Sequence, residues 1–309
     1  MPYPEEISDN FQGLRCGPGT AILPRFANKT VCMKKICIYS GSGASQQNAR
    51  ILKGVLETAL RPHGFETVFV TETDIAARLA RPDTVLVVFG GGEFTRVKAA
   101  LGAVGVTAVQ DYVRNGGRYF GSCMGGYAGA RDIVFTGEGG ERVNTGFGFF
   151  DGIARGSLPM AAPFDGQSAS ATVAPFCHSA TGMMFPALYW GGPAFEGDQS
   201  LPVITCAHRG TVFNMAVSVP VGGLGGRAVL SGCHVEAITP GIVREWTGKF
   251  SSGDINDARL SQEIKRFAPG QYMVGLSAIL DQLALVPHHS FLRQIMPASL
   301  PAGLRPAVA

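Results

Sequence analysis

Charge is scarce in this chain. Only 16% of its 309 residues are Asp, Glu, Lys or Arg, and the formal net charge is +3. The lysines and arginines are scattered, with no basic run and no aromatic–basic interleaving. That leaves no electrostatic footprint for nucleic acid or for an anionic membrane surface. Long apolar runs are missing as well. No window of about 18 unbroken apolar residues occurs, so no transmembrane helix is expected. The opening MPYPEEISDNFQGL lacks a basic stretch followed by an apolar core, so no secretory signal is expected. Cysteine is present but unpatterned: Cys16, Cys32, Cys37, Cys123, Cys177, Cys206 and Cys233 form no CxxC pair and no zinc-finger spacing with histidine. An odd, scattered set of this kind fits a reducing, cytoplasmic compartment rather than a disulfide scaffold. In that setting the sequon Asn28-Lys29-Thr30 reads as coincidence. No metal site and no cofactor are expected, because Cys177-His178 and Cys206/His208 suit no standard ligand spacing.

Apolar residues and glycine are plentiful, at 46% and 42 residues respectively. The chain can bury a full core, and the glycines mark many tight turns and close backbone approaches. Residues 1–34 carry no sustained period and read as an extension. From KKICIYSGSG onward, strand and helix patterns alternate. An apolar strand around Ile36 and Ile38 is followed by helical spacing at Ile51, Leu52, Val55, Leu56 and Leu60. FETVFV is a second strand, TDIAARLARPD a short helix and TVLVVFGGG a fully apolar third strand. VGVTAVQDYVRNGG is a helix, RYFGSC a fourth strand, and MGGYAGARD opens a further helix. Strand–helix units of this kind build a parallel sheet covered on both faces. From about 145 the texture changes to short β-rich pieces separated by Gly and Pro, which points to antiparallel or mixed pairing. VPVGGLGG lies between two of these strands and reads as a hairpin turn rather than a dinucleotide loop. NDARLSQEIKRFAPGQYMVGLSAILDQLALV is helical with a break at Pro269-Gly270, and His288-His289 in the tail are expected to meet solvent.

Three glycine-flanked sites stand at strand ends. In GSCMGG, Cys123 sits between a strand and a helix, among residues small enough for a sharp turn. That context fits either a structural cysteine or a nucleophile elbow, with the helix N-terminus favouring the thiolate and the Met124 amide facing an oxyanion. In SGCHVEA, His234 and Glu236 follow another strand. The two-residue spacing places the carboxylate on the same side of an extended segment as the imidazole, where it can fix the tautomer. In VVFGGGEF, Gly91 or Gly92 is the expected second oxyanion donor. Glu93, Tyr127, Tyr189 and Trp190 are candidate substrate contacts, YWGGPAFEGD fitting a pocket wall and plain packing equally well.

In this order the three pieces resemble the class I glutamine amidotransferase superfamily. ICIYSGSGAS, GGRYFGSCMGGY, LYWGGPAF and GGRAVLSGCHVE resemble more closely the biotin-protein ligase N-terminal domain family, over roughly residues 35–240. Val235 stands where the family has proline in His-Pro-Glu, and Glu93 follows the glycines where it has Gly-Gly-Ala-Asp. The resemblance implies an α/β fold, a flavodoxin-like three-layer sandwich with a mostly parallel central sheet, at residues 35–240. Residues 241–309 would form a helical extension packed on it. It also implies a Cys123–His234–Glu236 triad acting on a small amide or acyl substrate through a thioester. No ligase domain, adenylate loop or GxxxxGK[ST] motif is found in this chain, so biotinylation is not expected. A free-standing hydrolase or acyltransferase is the expectation. The alternatives are a non-catalytic regulatory module or a glutaminase serving a separate synthase or carrier partner.

Overall fold

The computed structural model describes residues 33–295 apart from 138, 159, 161–162, 199 and 249–254. The extension up to residue 32, with Cys16, Cys32 and the Asn28 sequon, lies outside the described residues, as does the tail from 296. The chain opens β1 (Lys34–Tyr39), α1 (Gln46–Leu60), β2 (Phe65–Val70), α2 (Ile75–Leu79), β3 (Thr84–Phe89), α3 (Phe94–Arg114), β4 (Arg118–Ser122) and α4 (Met124–Gly129). It continues through β5 (Ala130–Gly137), β6 (Gly140–Thr145), β7 (Phe150–Gly156), β8 (Thr172–His178), β9 (Met184–Tyr189), β10 (Ala194–Glu196), β11 (Leu201–His208), β12 (Thr211–Val221) and β13 (Gly226–Ser231). It closes with α5 (Pro240–Gly248), α6 (Ile255–Lys265), α7 (Met273–Leu283) and α8 (Phe291–Ile295).

Among the described residues the main sheet has nine strands in the order β2-β1-β3-β4-β13-β12-β11-β8-β9. From β2 to β13 every pairing is parallel, and from β13 to β9 every pairing is antiparallel. The parallel half has the doubly wound order, reversing direction between β1 and β3, where ligands of such sheets bind beyond the carboxyl ends. The apolar runs of β1, β3 and β4 feed both faces through the period-2 alternation of a strand. Ile36, Ile38, Leu86, Val88 and Phe120 pack with Leu52, Leu56 and Leu60 of α1. Their neighbours Cys37, Tyr39, Val87, Phe89 and Tyr119 pack on the other face with Val97, Val109 and Val113 of α3. This is the three-layer α/β arrangement expected, except that the central sheet is mixed, half parallel and half antiparallel, where a mostly parallel one was expected.

Two local expectations change. α3 runs from Phe94, ten residues ahead of the predicted start, and is interrupted at Gly102, whose φ of 58° no helical residue adopts. MGGYAGARD is helical only to Gly129. Ala130–Gly137 is a strand, and with β6, β7 and β10 it forms a second sheet in the order β10-β7-β5-β6. Ala130, Ile133, Phe150 and Ala154 pack that sheet into the α3 side of the core. The short apolar run Ile133-Val134-Phe135, bounded by glycines, carried this signal, since such a run flanked by turn residues reads as a strand.

Of the C-terminal helices, α7 and α8 share the same core, while α5 and α6 pack in a separate cluster with Val173, Leu188 and Trp190. Leu276, Ile279, Leu280 and Leu283 of α7 belong to the apolar cluster of α1 and β1. Arg118 Nε donates to the Leu283 carbonyl at 3.1 Å and Arg227 Nη1 to the Gln282 carbonyl at 2.9 Å, satisfying the free end of α7 with cations. His289 departs from its expected solvent position, since its ring packs 4.5 Å from His63 and 4.6 Å from Phe291. No helix among the described residues is long and apolar enough to cross a membrane. Because Ile279 has no exposed surface, Ile279→Ala is expected to remove about 2–5 kcal/mol of stability. Urea denaturation followed by circular dichroism checks this: one earlier transition fits a shared core, whereas a second, separate transition would show α7 folding apart from the sheet.

Candidate active site

The carboxyl ends of β3, β4 and β13 lie side by side, with Ser122 of β4 paired in register with Ser231 of β13. The segment after each strand therefore arrives at one place. β4 ends in Ser122, and Cys123 turns the chain into α4 with φ 55° and ψ −108°. A non-glycine residue held there stores about 1–3 kcal/mol of backbone strain. Its surroundings over-determine the turn. The Cys123 amide donates to the Ser231 carbonyl at 2.8 Å, and the Gly125 amide to the Gly90 carbonyl at 2.9 Å. A Cβ on Gly125 would fall into the Phe89 carbonyl, and one on Gly126 would stand 2.6 Å from the Ser231 carbonyl. Only glycine allows the elbow to press this closely on β3 and β13.

His234 is tied down from several sides. Its amide donates to the Leu188 carbonyl at 2.8 Å, joining the segment after β13 to β9. Its ring meets Trp246 of α5 edge-on at 4.5 Å. Nδ1 lies 2.9 Å from Glu236 Oε1. Both residues are buried, with His234 2% and Glu236 0% exposed. An ionised carboxylate accepts only, so Nδ1 carries the proton and Nε2 is left for the other side of the ring. Burial by itself pushes the His234 imidazolium down, but the neighbouring Cys123 and Glu236 outweigh it and raise its pKa to about 10. Burial pushes Glu236 up. The His234 charge, with hydrogen bonds from His234 and Asn48, overcomes this and holds the carboxyl below its usual range. The half-buried Cys123 thiol donates to the Trp190 carbonyl at 3.6 Å. Cys233, next to His234 in sequence, is a contrast: complete burial pushes its thiol up to about 12.

Two residues that the sequence reading passed over complete the carboxylate's shell. Ser122 Oγ donates to Glu236 Oε2 at 2.9 Å, and Asn48 Nδ2 donates to Oε1 at 2.6 Å. Asn48 Oδ1 in turn accepts from the Gly91 amide at 2.6 Å. Asn48 was findable as a polar residue on the apolar stripe of α1, four positions before Leu52. Its partners were not, because they come from distant strands. This bond corrects the expectation for Gly91: its amide is engaged by Asn48 and is not a free donor. The amides of Gly92 and Met124 carry no hydrogen bond among the described residues, and Gly92 is exposed.

The four candidate substrate contacts separate. The Trp190 carbonyl faces the Cys123 thiol, while its ring Nε1 donates to the Gln167 carbonyl and Ser170 Oγ, both at 3.1 Å. Tyr127 and Tyr189 are buried bracing groups, their hydroxyls donating to the Gly191 carbonyl at 3.0 Å and the Gly192 carbonyl at 2.8 Å. Glu93 points outward, accepting from Thr95 Oγ1 at 2.9 Å. Among the described residues no group of three or more His, Cys, Asp or Glu is placed to hold a metal ion. His178 Nδ1 pairs with Thr181 Oγ1 at 2.8 Å, and the Cys206 thiol donates to the Pro175 carbonyl at 3.6 Å. A cavity of about 640 Å³ lies at the other end of the sheet, where Lys34, Thr84 and Arg118 begin β1, β3 and β4. It touches none of the site residues.

An uncharacterized protein of Chlamydia muridarum (strain MoPn / Nigg) is 29% identical over 214 residues, 66% of this chain and 81% of its own. Among solved structures, a candidate GMP synthase subunit from Thermoplasma acidophilum is similar at 14% identity and a TM-score of 0.40, over 76% of this chain and 98% of its own. A cytoplasmic protein from Salmonella typhimurium LT2 is similar at 13% identity and a TM-score of 0.37, over 71% and 96%. The family model for the N-terminal part of biotin-protein ligase matches residues 34–285, which takes in α5 with Trp246 and all of α7, beyond the limit of 240 suggested by the motifs. With that match running through most of its length, the chain belongs to the biotin-protein ligase N-terminal family.

Proposed function

We propose that the protein is a cysteine-dependent hydrolase or acyl-transfer enzyme acting on a small amide or related acyl substrate. The observation that carries this reading is the buried His234–Glu236 pair standing beside a cysteine held at positive φ. The Cys123 thiolate attacks the acyl carbon, forming a C–S bond as the carbonyl π pair moves to oxygen. The amides of Gly92 and Met124 hold that oxyanion, Gly92 being the one of the two candidate glycines whose amide Asn48 does not claim. The His234 imidazolium gives its Nε2 proton to the leaving nitrogen, the C–N bond breaks and a thioester remains. Water or an acceptor amine then attacks the thioester. His234 takes the incoming proton, the C–S bond breaks and the thiolate is restored. Glu236 stays ionised throughout, holding the tautomer and stabilising the imidazolium.

Cys177 is half-buried like Cys123 but lies on β8, away from the site, so it serves as an internal reference. At pH 6.5, iodoacetamide is expected to modify Cys123 at least about tenfold faster than Cys177, because the thiolate is the reactive form. Peptide mass spectrometry reads this ratio. His234→Ala is expected to abolish the preference, and equal rates in the unaltered protein would overturn the proposal.

The ion pair also sets a pH dependence of stability. The folded pKa of His234, about 10, lies above its unfolded value of 6.5. Its contribution is therefore complete below pH 6.5 and is lost as pH rises through 10. The folded pKa of Glu236 is depressed below 4.5, so its contribution is present above 4.5 and is lost as pH falls. Thermal melts between pH 5 and 10 are expected to show a steady alkaline decline that His234→Gln flattens.

A further inference from the structure

Asn48 has no exposed surface and sits between two parts of the site, at Gly91 and Glu236, that are far apart in the sequence. Its side-chain orientation is dictated by its partners. The Gly91 amide can only donate and the Glu236 carboxylate can only accept, so a flipped side chain would oppose donor to donor and acceptor to acceptor. Asparagine alone supplies one acceptor and one donor at this reach without a charge. Aspartate would face a second carboxylate, and alanine would leave a buried amide hydrogen and a carboxylate oxygen each short of a partner.

The second half of the geometry concerns the peptide that carries the Gly92 amide. The Gly91 carbonyl accepts from the Ser45 amide at 2.9 Å, and Ser45 is the N-cap of the same helix that carries Asn48. The Gly90 carbonyl accepts from the Gly125 amide of α4 at 2.9 Å. In a trans peptide the carbonyl and amide hydrogen point in opposite directions. The helix therefore grips the Gly91 carbonyl on one side and leaves the Gly92 amide aimed away from α1. The loop also flanks the imidazole, since a Cβ on Gly91 would stand 3.8 Å from His234 Cε1.

We infer that Asn48 is a positioning residue that couples two functions of the site, orienting Glu236 and hence His234 while holding the glycine loop that presents the Gly92 amide. This rests on the proposed cysteine chemistry. It goes beyond that chemistry by assigning to α1, which lies outside the Cys–His–Glu set, control over both thiolate activation and oxyanion binding. The two functions can be read separately. Iodoacetamide displacement needs the thiolate but no oxyanion donor, whereas acetylation by p-nitrophenyl acetate needs both.

The test measures both rates at Cys123 for the full chain and for Asn48→Ala and Asn48→Asp, with Cys177 alkylation as reference and circular dichroism as the check of folding. Asn48→Ala is expected to slow alkylation severalfold and acetylation by about a hundredfold, the scale of a lost oxyanion donor. Asn48→Asp is expected to show a pH signature. At acid pH a proton shared between the two carboxylates restores both hydrogen bonds, and the acetylation rate relative to the unaltered chain recovers. As that proton leaves, repulsion opens the bridge and the ratio falls. A role confined to packing gives no such crossover. If the unaltered chain reacts preferentially at Cys123 but Asn48→Asp keeps a constant ratio to it across pH, the inference is overturned while the cysteine chemistry stands. If the unaltered chain shows no preference for Cys123, both fall. Should Asn48→Ala fail to fold, the Asn48→Asp profile decides alone.

Discussion

A carboxylate without exposed surface must be satisfied by the protein, and Glu236 is such a group. Taking its charge out of water is expensive unless donors replace the lost hydration. Here the donors come from three places: the imidazole two residues back, the hydroxyl at the end of β4 and the amide on the first turn of α1. Each donor fixes a different element. Ser122 brings the strand that leads into Cys123, and Asn48 brings the helix that holds the glycine loop. The arrangement of the site follows from solvating one buried charge.

The mixed sheet supplies the stage. Its parallel half delivers β3, β4 and β13 with their carboxyl ends together, the general location of ligand sites in doubly wound proteins. Its antiparallel half delivers β9, whose end contributes the Leu188 and Trp190 carbonyls that fix His234 and face Cys123. The helices after residue 240 then close over the back of the imidazole through Trp246. α5 and α7 both lie within the family match, α7 packing into the core of α1 and β1 and α5 into a cluster with Val173, Leu188 and Trp190.

Much of this was legible in the residues. Apolar strands and amphipathic helices in alternation are short-range patterns, and they located the parallel half. The glycines around Cys123 and the spacing of His234 and Glu236 are local as well. What escaped was set by pairing over distance. The apolar run in Ala130–Gly137 was masked by the glycine-rich helical start before it, so the second sheet went unseen. Ser122 and Asn48 carry no local mark of the carboxylate they serve, lying 114 and 188 positions from it. The choice between Gly91 and Gly92 depended on which amide a side chain from α1 would claim. No property of three consecutive glycines decides that.

The position of β13 has a consequence for how the molecule is made. It is the only strand joining the parallel half to the antiparallel half among the described residues, and His234 and Glu236 follow directly from it. Contacts of such sequence separation are slow to close, because loop entropy has to be overcome before they form. On a growing chain, Cys123 leaves the ribosome well before the residues that surround it in the finished fold. Until β13 slides in between β4 and β12, the cysteine has neither the imidazole nor the buried carboxylate beside it. Pairing of β13 with both β4 and β12 is thus also what brings the imidazole and the buried carboxylate to the turn that holds Cys123.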